Sequence, residues 1–585
     1  MALFPPEFIA GLLAAFFQFR LRAYFSVASA LVNGLTFFLP PDDALIATLN
    51  GDKAPPPAAN VTASSGKKAS VKSASGAPLS AEDKMQAFYI KVATTEHGVF
   101  QQTLFYELYE MLVIVVTSTL VACVVGDVVS FAKPWFFAAA DATIEGSASY
   151  RPEISVYGLV SALLVALWFP LQIKFAQGLE TYEARLGIGI GFLGFVLAFF
   201  VIFAPKQWFD FDIESGADAV GARLEIVLRT LGFVDEDMDN VAHIGEMARL
   251  ALFGQMALLA GVFACTSFLP AFRFARMYAE MTRDAQTSRF QKLLLHINML
   301  SPLLLAVCWI NALSRDVLVP SYLVKCGPRA LTRDCFATPD DEAAFAASKI
   351  ALKESQFDTL RIYLVLFSVL VRIVCFRGHL QYFLVEIKDT IIALVRRPGR
   401  VDGALLQSKI RIQFNYLPII AVQYLAPVVS LLASAVLLAR QTATSFGVMD
   451  ALLAVLVRVV GLTPPPSLAS GTTATNALEL LPDVTPPDFG KWQLGEPVQQ
   501  EKLAAFVKGM AQFTVVPPSF HASFFGFFLW WISFTWFAVS VAGLIYWHNV
   551  PHYAADGGES DAFKRNKQTP KLLKNQLKSL KLKKH

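Results

Sequence analysis

Within one long apolar run of this chain, FDTLRIYLVLFSVLVRIVCFRGHLQYFL (Phe357–Leu384), Arg361, Arg372 and His379 fall at helical spacing. Guanidinium groups hold carboxylates or other anions through paired N–H donors, and an imidazole adds a group that titrates near neutral pH. At about 100° per residue, Ser368 falls near −20°, Arg372 near +20° and His379 near 0° relative to Arg361. Leu, Val, Ile and Phe fill the rest of the circumference. At bilayer depth an arginine costs several kcal/mol unless it faces a partner or water. The stripe is therefore expected to look inward.

Candidate partners lie in other apolar runs. Asp358 is one turn before Arg361. LLLHINMLSPLLLAVCWINALSRD carries His296, Asn298, Ser301, Pro302 and Asn311, residue types that join membrane helices by hydrogen bonds. FNYLPIIAVQYLAPVVSLL carries Asn415, Pro418, Gln423 and Pro427, and its two prolines leave carbonyls that need donors, which the arginines of the stripe could supply. Glu107 and Glu110 share a helix face beside Tyr106 and Tyr109. They read either as solvated carboxylates in an aromatic belt or as partners of the arginine stripe.

Other chemistries find little support. Gly189–Gly194 matches GxGxxG but sits inside an apolar run, with Gly187 adding a GxxxG pair, so close helix packing is the expectation and not a dinucleotide site. His296 has no ligand companion at i+4, and no metal or cofactor is expected. No nucleophile elbow, phosphate loop, HExxH or kinase signature is present. Arg361 and Arg372 are eleven apart, unlike the every-third spacing of a voltage sensor.

The elements that must position these residues follow from composition. Of 585 residues, 55% are hydrophobic and 16% charged, and apolar runs of about 20 residues recur. The expectation is an all-α polytopic helical membrane protein of about nine spans, near 5–20, 104–126, 154–174, 184–204, 247–269, 290–313, 357–377, 413–439 and 520–547. Arg20 and Arg22 follow the first run, the reverse of a signal peptide, so it reads as a retained anchor. Basic residues gather after spans 1, 5, 7 and 9, whereas the segment after span 4 is acidic (Asp210, Asp212, Glu214, Asp218, Asp235, Glu236, Asp237, Asp239). That alternation predicts an N-terminus outside and a cytoplasmic C-terminus, in the plasma membrane or endoplasmic reticulum.

The predicted organisation is an anchor span (1–22), a partly disordered cytosolic linker (23–103), a multi-span domain (104–547) and a basic tail (548–585). Surface helices are expected at Val220–Leu231 and Met449–Val460 in the longer outside loops. The sequon at Asn60 falls on the cytoplasmic side, where it would go unused. Lys564–His585 holds nine basic residues and no acid; removing these nine from the net +4 leaves −5 for the rest. The tail suits attraction to anionic lipid, and no nucleic-acid surface is implied. Cys123, Cys265, Cys308 and Cys375 read as small core hydrophobes. Cys326 and Cys335 share an outside loop that would permit a disulfide.

Taken together, LLLHINMLSPL (Leu293–Leu303), FDTLRIYLVL (Phe357–Leu366), Arg372, RGHLQ (Arg377–Gln381), QYLAP (Gln423–Pro427) and FLWWISF (Phe528–Phe534) resemble the transmembrane protein 161 family, whose vertebrate members come in A and B forms. The resemblance implies a multi-pass membrane protein without assigned enzymatic activity. It also implies links to protection from oxidative stress and apoptosis and to control of potassium and calcium currents. It carries over no catalytic or binding residues. The chain departs by its longer linker, its basic tail and the lack of sequons in the last outside loop.

The resulting expectation is a non-enzymatic membrane regulator of ion currents or stress response, working in the lipid bilayer with unidentified membrane-protein partners. The alternative is a secondary transporter or channel for an anionic solute, bound by Arg361 and Arg372.

Overall fold

The computed structural model describes residues 5–22, 24–50, 88, 90–96, 100–137, 154–177, 182–205, 207–230, 240–283, 287–319, 354–396, 399–441 and 516–549. The Cys326–Cys335 pair, the Asn60 sequon, the helix expected at Met449–Val460 and the tail from 550 onward lie outside these residues. Fourteen α-helices are described: α1 (Pro6–Leu21), α2 (Val27–Val32), α3 (Asp43–Leu49), α4 (Tyr106–Phe137), α5 (Ile154–Gln177), α6 (Tyr182–Ile202), α7 (Ile213–Thr230), α8 (Asn240–Arg283), α9 (Arg289–Val307), α10 (Arg315–Leu318), α11 (Glu354–Arg396), α12 (Gly403–Asn415), α13 (Leu417–Gln441) and α14 (Pro518–Asn549). The two strands, β1 (Thr36–Phe38) and β2 (Val92–Thr94), pair antiparallel, Phe37 opposite Ala93.

Among the described residues, eight helical segments are long and apolar enough to cross a membrane. Helix α1, the first expected span, has 16 residues, about 24 Å at 1.5 Å per residue against a hydrocarbon core of about 30 Å. It runs antiparallel to α4. Glu7 lies beside Gly126, Gln18 accepts from Thr117 (2.9 Å), and Arg22 meets Glu110 (3.2 Å).

Several boundaries depart from expectation. Helix α8 runs to Arg283 and α11 to Arg396, beyond the apolar stretches at 247–269 and 357–377. The basic residues Arg273 and Arg276 are therefore helical and not loop residues. Span 6, expected to reach 313, ends as α9 at Val307, because the following turn pairs Phe209 with Ile310. The span expected from 413 begins at Leu417; Pro418 sits in its first turn, where its missing N–H costs no ladder bond.

Sidedness follows from which helix ends meet. The ends of α6 and α9 join the starts of α11 and α14 on a first face, through Asp210 N–H to Trp309 O (3.0 Å), Arg361 to Asp210 (2.7 Å) and Ser523 Oγ to Asp212 O (2.7 Å). On the second face, the two ends of the 23–103 segment are structured, and the β1–β2 pair forms a hairpin layer with a long connection: Thr36 N–H donates to Gln381 Oε1 (2.9 Å), Gln381 Nε2 returns a bond to Thr36 O (3.0 Å), and Arg377 donates to Asn33 O (2.6 Å). Gly34 turns the chain there at φ +78°, a conformation that favours glycine. Leu49, Phe88, Ile387, Val395, Leu406 and Ile410 belong to a separate apolar cluster, against which Phe38 of β1 packs.

Helix α13 is the core of the bundle, mostly buried and packed against α4, α5, α11 and α14. Large apolar side chains such as Phe192, Phe200 and Leu258 point outward, as lipid contact requires. The glycine motif of α6 packs against α8. A Cβ on Gly194 would lie 2.6 Å from Ala264 Cβ, and one on Gly261 would lie 2.9 Å from Gly191 O, whereas Gly189 has open space. Gly194→Val is expected to destabilise the detergent-solubilised protein by about 1–3 kcal/mol, seen as a lower melting midpoint. Gly189→Ala should leave the midpoint nearly unchanged.

Candidate functional site

Helix α11 presents the stripe inward, as its 3.6-residue period demands. Arg361 is 8% exposed, Ser368 0%, Arg372 1% and His379 3%, while Leu370 and Val374 on the other side are more than half exposed. The four inward residues meet different surroundings.

Arg361 is neutralised near the first face. Its Nη1 donates to Asp210 Oδ2 (2.7 Å) and its Nη2 to Asp358, and the Trp309 and Phe357 rings lie 4.3 Å and 4.7 Å from its guanidinium carbon. The other oxygen of Asp210 accepts from Arg315. One loop carboxylate thus bridges two arginines, in a setting where desolvation is repaid only by close pairing with hydrogen bonds. Phe209, beside Asp210, stacks on Phe211 and meets Trp530 of α14 edge-on.

Deeper in the bundle the contacts are neutral. Ser368 and Ser301 share a hydrogen bond of 2.9 Å. Asn298 donates to Tyr424 OH (3.4 Å), and that hydroxyl donates to the Arg372 carbonyl (3.0 Å). The expected direction is reversed: α13 satisfies a backbone carbonyl of α11, and the arginines of α11 do not serve carbonyls of α13 in any described contact. His379 stacks on Tyr424 at 4.7 Å, its Nδ1 3.2 Å from Met277 Sδ. Gln423 accepts from Arg273 Nη1 (3.0 Å). Arg372 spreads over Trp536, its guanidinium carbon 4.7 Å from the ring centre.

Matched against models of protein families, the chain aligns over residues 2–550 with the one described as Predicted transmembrane protein 161AB. The chain belongs to this family. No solved structure matches it. Segments that resemble the family converge in the polar interior: Asp358 and Arg361 of FDTLR lie on α11, Tyr424 of QYLAP and Asn298 of HINMLSP form the hydrogen-bonded chain that reaches its backbone, Gln423 is buried beside Tyr424, and RGHLQ sends Arg377 and Gln381 to the backbone at Asn33 and Thr36 and His379 inward.

Three candidate residues fall elsewhere. Glu110 is buried but pairs with Arg22, Ser26 (2.9 Å) and Tyr106 (3.2 Å), not with the α11 stripe, because α1 and not α11 covers that face of α4. Glu107 is exposed. His296 is also exposed and bonds Tyr278 OH (2.8 Å) on the bundle's outside; it lies two positions before Asn298 on α9, about 200° round the helix from that inward side chain. Cys123, Cys308 and Cys375 are buried free thiols, and burial pushes the Cys308 thiol up.

Sequence reasoning missed a further cluster toward the second face. Arg276 meets Glu280 (3.0 Å) and Glu386 and lies 4.9 Å from the Trp547 ring, and Tyr382 OH donates to Glu280 (2.5 Å). The i,i+4 spacing of Arg276 and Glu280 was the available signal, and it needed the longer α8 to become visible. Replacing Asp210 with Asn is expected to cost about 3–5 kcal/mol, because it leaves Arg361 and Arg315 under-compensated at once. Asp218→Asn, at a largely exposed pair with Arg249, should cost under about 1 kcal/mol. Melting of both variants in detergent checks the contrast.

Proposed function

We propose that this chain is a non-enzymatic multi-pass membrane regulator, acting on ion currents or on the stress and apoptosis response through contacts with other membrane proteins. The observation that carries this reading is the pairing of Arg361 with Asp210 and Asp358, which spends the most obvious solute-binding cation on holding helices together. The Arg276–Glu280–Glu386 cluster supports the same view at the opposite face. A carrier that bound an anionic solute at Arg361 would need that guanidinium released from two carboxylates.

Charge bias orients the proposed protein. The hairpin layer and the ends of α8 and α11 would face the cytoplasm, with the basic tail near anionic lipid, and the Asp210 face would be outside, in the plasma membrane or endoplasmic reticulum.

The test combines two measurements. Expression in a cell with native potassium and calcium currents should change their amplitude, and the purified protein in liposomes should carry no potassium, calcium or organic anion flux above empty vesicles. Unitary currents or saturable flux from the purified protein, abolished by Arg361→Ala without loss of folded protein, would replace regulation with transport.

A further inference from the structure

Arg372 differs from the other arginines of the bundle. Arg22, Arg276, Arg315, Arg361 and Arg440 each meet a carboxylate, and Arg273 has Gln423. The guanidinium of Arg372 is fully buried, and among the described residues none of its three nitrogens has a hydrogen-bond acceptor. Trp536 offers its face at 4.7 Å, which attracts the cation without accepting its N–H bonds or cancelling its charge. The Tyr424 hydroxyl directs its hydrogen to the Arg372 carbonyl. A cation held this way lacks both acceptors and counter-charge.

We propose that Arg372 holds a small monovalent anion of the halide class at the centre of the bundle. The surroundings favour a compact ion. Phe274, Phe376, Tyr424 and Trp536 are all buried around this level of α11. Arg372 also lies between the Asp210 cluster eleven residues earlier and Arg377, which reaches the hairpin layer five residues later. A lipid headgroup would approach from a membrane face, whereas this guanidinium is 1% exposed. The ion would accept from the guanidinium N–H groups and balance the charge, acting as a resident structural ligand. This inference stands apart from the regulatory reading: an anion that binds tightly and is never transported fits a regulator as well.

The test uses full-length protein in detergent, melted in sodium chloride or bromide against sodium gluconate at matched ionic strength. Halide should raise the wild-type midpoint in a saturable way. Arg372→Met, which removes the charge while keeping an unbranched side chain, should melt at the same temperature in both salts. Iodide supplies a second readout that does not depend on that variant folding. Its quenching of tryptophan fluorescence should contain a saturable component that Trp536→Phe removes. Equal wild-type midpoints in halide and gluconate, meaning that water alone solvates the site, would overturn the proposal. So would an Arg372→Met variant that responds to halide as the wild type does, or iodide quenching that is linear and unchanged in Trp536→Phe.

Discussion

Buried charge in a medium that cannot solvate it is the constraint from which the rest of this structure follows, and Asp210 is where it is met most directly. A single carboxylate in the turn after α6 accepts from Arg361 of α11 and from Arg315 after α9. Its own N–H is tied to Trp309 O, so the loop, two arginines and an indole form one unit. Two unit charges in close contact interact strongly at low effective dielectric, and each loses its stabilisation when the other is removed. The turn geometry at Phe209–Ile310, the early end of α9 and the position of α14 all agree with that pairing.

Helix α11 acts as a spine that changes character along its length. At the first face it is ionic, through Asp358 and Arg361. In the middle it is hydrogen-bonded to neutral groups, through Ser368 to Ser301 and its backbone to Tyr424, and carries the single charge of Arg372 against Trp536. Beyond Arg372 it becomes a docking rail for the N-terminal segments, with Arg377 and Gln381 gripping the backbone at Asn33 and Thr36. Residues on its lipid side, such as Leu370 and Val374, stay apolar and exposed throughout. Any movement of α11 along its axis would therefore strain both faces together.

Much of this was legible in the sequence, for identifiable reasons. Apolar runs of bilayer length marked the long helices, and the period of α11 placed Arg361, Ser368, Arg372 and His379 on one buried stripe because helical geometry leaves no other option. Partners were harder. Asp358 lies one turn from Arg361 and was readable, but Asp210 is 151 residues away, in a segment that read only as acidic loop. Glu110 was a plain candidate for the stripe, yet Arg22 claims it because α1 packs on α4, and pairing of helices is not encoded in spacing. The polar continuations of α8 and α11 fell below an apolar threshold, which hid Arg276, Glu280 and Glu386 until the helices were seen to extend past the hydrocarbon stretch.

The central claim, that the arginine nearest the first face is a structural clamp and not a solute site, is tested most directly by a double-mutant cycle between Asp210→Asn and Arg361→Met, read by reversible unfolding in detergent. Residues in one buried charge network are expected to couple by about 0.5–3 kcal/mol, so the double variant should be more stable than the sum of the single losses implies, with no change in solute binding. Additive losses, with coupling near zero, would contradict the clamp and return Arg361 to the list of groups available to a ligand.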